Sequence, residues 1–106
     1  MKNCIRTQLA LAVLFSLAGA VSFAQSAGEA VYKSKCQMCH GATGAADTPT
    51  AKAMKVKPLS DPDIQKLTDQ QMFDSTKNGK GKMPAYKDKL TDEQIKDSVT
   101  YYRSLK

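Results

Sequence analysis

Tryptophan is absent from this 106-residue chain, histidine occurs once and phenylalanine only three times. Two of those phenylalanines, Phe15 and Phe23, fall within the opening stretch MKNCIRTQLALAVLFSLAGAVSFAQ. A chain this short is marginal on core burial alone and usually needs a staple, a metal or a cofactor. With so few large apolar side chains, something besides protein is expected to fill its middle. Nowhere do β-branched residues alternate with polar ones, which argues against a sheet. A lone histidine also excludes any metal site built on a histidine pair, and no nucleophile stands beside an evident base. Repeats and low-complexity tracts are missing too.

The opening stretch reads as an export signal. Lys2 and Arg6 form a positive start, residues 9–21 a hydrophobic run, and Ser22 and Ala24 a small-x-small cleavage site. A membrane-spanning helix wants roughly 20 apolar residues, and this run is shorter and broken by Ser16 and Gly19. Cleavage is expected between Ala24 and Gln25, giving residues 1–24 as signal peptide, residues 25–106 as the mature domain, and a periplasmic location. Cys4 leaves with the signal, so three cysteines become one pair, Cys36 and Cys39. No cysteine near the cut could accept a lipid, so no membrane anchor is expected after cleavage.

Helix signals run through the rest. Ser26 is a candidate N-cap, and Gly28, Tyr32 and Cys36 recur at i, i+4 and i+8. TAKAMKVK forms a short helix before Pro58, and Pro62 suits the first position of another. Thr68 with Gln71, and Thr91 with Gln94, make two capping boxes, and Asn78-Gly79 is a helix stop. The last helix turns Ile95, Val99 and Tyr102 inward, with Ser98, Tyr101 and Leu105 alongside. The expected fold is all-α, with three main helices, two short ones and long loops that want an internal object to wrap around.

The segment CQMCH, residues 36–40, names that object. Cys-x-x-Cys-His is the haem c attachment signal. A helical turn brings Cys36 and Cys39 to one side, where each sulfur can add to a vinyl group. His40 lies one turn beyond Cys36, within reach of the iron. Zinc would need a second ligand pair downstream, and a thioredoxin-like redox pair would sit beside a βαβ pattern. Neither is present, and a plain disulfide would not need His40.

With no second histidine, a methionine thioether is the natural opposite ligand, one that raises the reduction potential. Met38 lies inside the attachment turn, and Met72, beside Phe73 on a helix, reads as core filler. Met83 stands in an irregular loop, stiffened by Pro84 and far enough from His40 for the chain to wrap between them. Met54 is the alternative.

GEAVYKSKCQMCHG, GKMPAYKDKLTDEQI and YYRSL together resemble the class I monohaem c-type cytochromes over nearly the whole mature chain. The resemblance implies a bundle whose first and last helices cross, with Gly28 and Tyr32 meeting Ser98 and Tyr101. It also implies a proline carbonyl accepting the Nδ1 proton of the ligand histidine, with Pro49 the candidate and Pro58 in reserve. Ser98 stands where an aliphatic residue is usual, so a looser contact is expected there. Four-helix-bundle cytochromes carry the motif near the C-terminus, unlike this chain.

An iron held by both His40 and Met83 leaves no open position, so the expected function is single-electron shuttling rather than enzymatic catalysis. Two alternatives stand: a haem enzyme or gas sensor in which Met83 is displaced, and a thiol-disulfide oxidoreductase. Lys77, Lys80, Lys82, Lys87 and Lys89 cluster around the methionine loop. They form either an ordinary solvated face or a docking ring for redox proteins with acidic surfaces. Nucleic acid is not an expected partner, and nothing demands more than a monomer.

Overall fold

The computed structural model describes residue 23 and residues 25–105. The expected signal segment, residues 1–24, lies outside the described residues apart from Phe23. The continuously described residues open with a helical run, α1, over residues 25–40. Residue 25 is already helical, so Ser26 sits inside α1 rather than capping it. The short helices α2 (Pro49–Met54) and α3 (Pro62–Gln65) come next, then α4 (Asp69–Asn78) and α5 (Asp92–Ser104). No strand forms among the described residues; the nearest thing is an isolated bridge between Lys80 and Met83. The fold is all-α, as the patterning demands.

Four helix starts arise directly from local chemistry. Thr68 and Thr91 each accept a bond from the backbone N–H three residues on, while Gln71 and Gln94 reach back to the capping residue. Thr48 and Asp61 cap α2 and α3, with Pro49 and Pro62 just inside, where a missing N–H costs nothing. Each cap contributes about 1 kcal/mol. Gly79, at φ +81°, ends α4.

Tertiary packing centres on the meeting of α1 and α5. A Cβ on Gly28 would lie 2.2 Å from the Asp97 carbonyl oxygen and 3.0 Å from the Tyr101 Cβ. Only a residue without a side chain lets the backbones approach this closely. One turn on, the Tyr32 ring is fully buried between Tyr101, at 5.3 Å between centroids, and Tyr102, at 6.0 Å. Such aromatic pairs contribute about 0.5–1.5 kcal/mol beyond their buried area. Ser98 on the same helix is buried, and its hydroxyl donates to the Ile95 carbonyl at 2.8 Å. Ile95 and Val99 complete the α5 face, with Met72 of α4 and Leu59 and Leu90 of the loops in the same core.

The continuous stripe expected from Gly28 through Tyr32 to Cys36 breaks at its last member. Residues Tyr32–Cys36 form a π-helical turn, in which Gln37 N–H donates to the Tyr32 carbonyl five residues back. The wider turn shifts the helix phase. Gly28 and Tyr32 therefore face α5, while Cys36 lines a cavity on another side.

Ion pairs fasten α4 against α5 at both ends. Lys77 meets Asp92 at 3.1 Å, and Arg103 pairs with Asp69 while also donating to the Leu67 carbonyl. Partly exposed pairs of this kind contribute about 1 kcal/mol or less; the apolar crossing dominates. Replacing Gly28→Ala should force the helices apart at a cost of about 1–3 kcal/mol, lowering the thermal midpoint by about 4–8 °C per kcal/mol. An unchanged midpoint in thermal unfolding would show that the close approach does not carry the packing.

Candidate functional site

The attachment segment is shaped by its neighbours on both sides. Tyr32 Oη donates to the Gly41 carbonyl at 2.5 Å, a buried bond that ties the end of α1 to its own middle. Thr48 Oγ1 donates to the Met38 carbonyl at 2.6 Å and accepts from Ala51 N–H at 3.0 Å. One hydroxyl thus caps α2 and pins it against the Cys-x-x-Cys turn. Ala46 N–H donates to the His40 carbonyl at 2.9 Å, closing the loop after the motif.

Facing this turn, loop 79–86 doubles back on itself. Lys80 and Met83 exchange backbone bonds of 3.1 and 3.0 Å around Gly81, which adopts a φ of +57° without strain because it carries no side chain. Tyr86 N–H donates to the Thr76 carbonyl and Lys87 N–H to the Lys77 carbonyl, anchoring the loop's far end on α4. A Met in this loop is held by main-chain geometry rather than by helix register.

Between these walls lies a cavity of about 720 Å³, within the roughly 300–1,000 Å³ typical of ligand and cofactor sites. Cys36, Cys39, His40, Met83 and Pro84 all line it, with Met54 and Val56 adding apolar surface. The structure therefore brings Cys36, Cys39, His40 and Met83 to one space, and it brings Met54 there too. Met72 is buried in the core and does not line the cavity, consistent with a packing role. Met38 borders the cavity with most of its side chain in solvent. Pro49 occupies the first turn of α2 and does not line the cavity.

The electrostatics suit a metal ligand and not a reactive thiol. Burial pushes His40 below its ordinary pKa, keeping the imidazole neutral, as iron ligation requires. Its ring meets the edge of Tyr102 at 5.3 Å, and its Nδ1 is buried with no hydrogen-bond partner. Neither Pro49 nor Pro58 bonds it here. Burial, with a smaller push from Cys39, raises the Cys36 thiol to about 11. Redox-active Cys-x-x-Cys pairs instead depress the pKa of the attacking thiol, which counts against the oxidoreductase alternative. Among the described residues, no group of three or more His, Cys, Asp or Glu could hold a metal ion. The donors present fit a porphyrin iron: two thiols, a neutral imidazole, thioethers and an apolar slot.

The lysine cluster is partly redrawn. Lys80 and Lys82 border the cavity mouth, but Lys77 is taken up by Asp92 and Lys89 lies over the Tyr86 ring at 5.7 Å. Lys35 and Lys55, distant in sequence from the methionine loop, join the rim. Sequence reasoning had no signal for either. Tyr86 was missed as well, although it stands only two residues beyond the Met-Pro pair.

Comparison with known proteins agrees with this geometry. The family described as cytochrome c oxidase, cbb3-type, subunit III matches residues 23–101. Cytochrome c-551 of Halorhodospira halochloris is 35% identical over 81 residues, covering 73% of this chain and 95% of that protein. Cytochrome c6 of Leptolyngbya boryana is 36% identical over 76 residues, covering 72% and 86%. The solved KustC0563 c-type cytochrome superposes with a TM-score of 0.68 at 28% identity, covering 74% of this chain and 96% of that one. Sequence motif, helix arrangement and relatives converge: the chain belongs to the class I c-type cytochromes, and its cofactor is one covalently bound haem c.

Proposed function

We propose that this protein is an exported, periplasmic electron carrier. In it Cys36 and Cys39 would hold the haem through thioethers, and His40 and Met83 would ligate its iron. One observation carries the reading: two thiols, the single imidazole and the loop methionine, far apart in sequence, line the same apolar cavity. When bound, the haem supplies a one-electron ferric–ferrous couple. His40 contributes a neutral nitrogen, and Met83 contributes a soft thioether that favours the reduced state. For the haem-bound protein, Pro49 is proposed as the acceptor for His40 Nδ1, which has no partner in this structure, because Thr48 anchors this segment to the attachment turn; Pro58 is the alternative. Met83 is preferred to Met54 because its loop is fixed at both ends, whereas Met54 ends a short helix and is 39% exposed.

Ligation by both His40 and Met83 would leave the iron no open site for a substrate, so the proposed role is electron transfer without catalysis. No helix among the described residues is long and apolar enough to cross a membrane; the proposed mature form is a monomer beginning at Gln25, after cleavage at Ala24. Redox proteins are its partners. The rim of Lys35, Lys55, Lys80 and Lys82 around the cavity mouth suits a partner with an acidic docking face. Transient contacts of this kind are small and sensitive to salt.

The intact mass of periplasmic protein should equal residues 25–106 plus one haem; a longer chain would refute the cleavage, and a mass without haem the attachment. Met83→Ala should abolish the methionine-to-ferric-iron absorption band and let the ferrous protein bind carbon monoxide fully. If Met54→Ala does this instead, the ligand assignment is wrong. Raising salt from about 10 to 200 mM should slow electron transfer to an acidic redox partner by about tenfold, and a flat dependence would remove the docking role of the rim.

A further inference from the structure

We propose that Tyr86 is a positioning residue whose hydroxyl latches the Met83 loop onto α1 across the cavity, setting how firmly the Met83 thioether stays on the iron. This inference rests on the proposed axial role of Met83.

Tyr86 Oη donates to the Lys35 carbonyl at 3.1 Å, joining residues 51 positions apart. Lys35 belongs to the π-helical turn and immediately precedes Cys36. The bond therefore runs from the loop that carries one proposed axial ligand to the turn that precedes the attachment cysteines. Among the described residues, it is the one side-chain hydrogen bond from residues 80–86 to α1. The main chain of Tyr86 is fixed independently: its N–H donates to Thr76 at 3.0 Å, and its carbonyl accepts from Lys89 and Leu90 at 2.9 Å each. The ring is thus an arm projecting from an anchored backbone, and its hydroxyl is the part that crosses.

Met83 has no comparable tether. Its backbone bonds only to Lys80 within the same turn, and the loop's main-chain anchors at Tyr86 and Lys87 lead to α4, so a restraint toward α1 has to come from a side chain. Tyr86, three residues on, supplies that restraint, and its ring lines the same cavity as Met83. Burial raises the phenol pKa above its usual range, so the hydroxyl keeps its proton and remains a donor at neutral pH. The Lys89 ammonium, 5.7 Å from the ring centroid, packs beside it.

Tyr86→Phe keeps the ring and removes only the hydroxyl. In the haem-loaded protein, loss of one such bond should raise the rate at which carbon monoxide displaces the methionine of ferrous protein by about two- to tenfold. The ferric methionine band should also be lost at a lower temperature than global unfolding. Placing 4-aminophenylalanine at position 86, which keeps a donor at the ring tip, should return both readouts to wild type. A Tyr86→Phe protein whose unfolding midpoint falls while its carbon monoxide rate and band match wild type would overturn the latch and leave a packing role. A 4-aminophenylalanine protein with the fast rate would overturn it too. Met83→Ala separates the two ideas: if the band survives that change, the ligand assignment has failed, whatever Tyr86 does.

Discussion

The close approach of α1 and α5 at Gly28 organises much of the remaining structure. Because no side chain intervenes between Gly28 and the Asp97 carbonyl, the next turn of α1 delivers Tyr32 deep into the aromatic pair of α5. Its buried hydroxyl then has one nearby use, the Gly41 carbonyl just after the attachment motif. A helix–helix contact is thereby converted into a fixed position for His40, whose ring also meets Tyr102 of the same helix. The attachment turn is oriented by the far end of the polypeptide.

The π-helical turn reconciles two demands that an ideal α-helix could not meet together. Gly28 and Tyr32 pack against α5, while Cys36, Cys39 and His40 line the cavity. A single widened turn between Tyr32 and Cys36 changes the helix phase at the boundary between these two tasks. Inserted turns of this kind often accompany functional sites, and here the reason is geometric. It also places the Lys35 carbonyl where the Tyr86 hydroxyl meets it.

The protein's small apolar inventory has a physical meaning in this setting. Apart from Tyr32 and Ile95, no large side chain among the described residues is fully buried, and the core residues Met72, Leu59, Leu90 and Val99 do not line the cavity, which the protein leaves unfilled. A covalently attached porphyrin contributes the missing apolar mass and cannot dissociate. Stability and redox function therefore share one group, and the loops around the cavity serve both.

Much of this was legible in the chain itself because it depends on local chemistry. Capping boxes at Thr68 and Thr91, the stop at Gly79 and Pro62 at a helix start are satisfied within a few residues, and each stands where the sequence requires it, whereas α2 starts at Pro49, in a stretch that reads as loop. Cys36, Cys39 and His40 could be grouped from the sequence because they fall within a single turn, and they line one cavity. Met72 was separable from Met83 by its helical setting. Other features depended on contacts between distant segments, which no local pattern encodes. Ser26 became interior to a longer helix, and Cys36 left the stripe of Tyr32 at a π turn. Lys77 turned from a rim candidate into a partner of Asp92, while Lys35 and Lys55 reached the cavity mouth from other parts of the chain. Sequence thus determined which groups could bind the cofactor; tertiary structure decided which of them face one another, because that depends on how the helices cross and where each loop is tied.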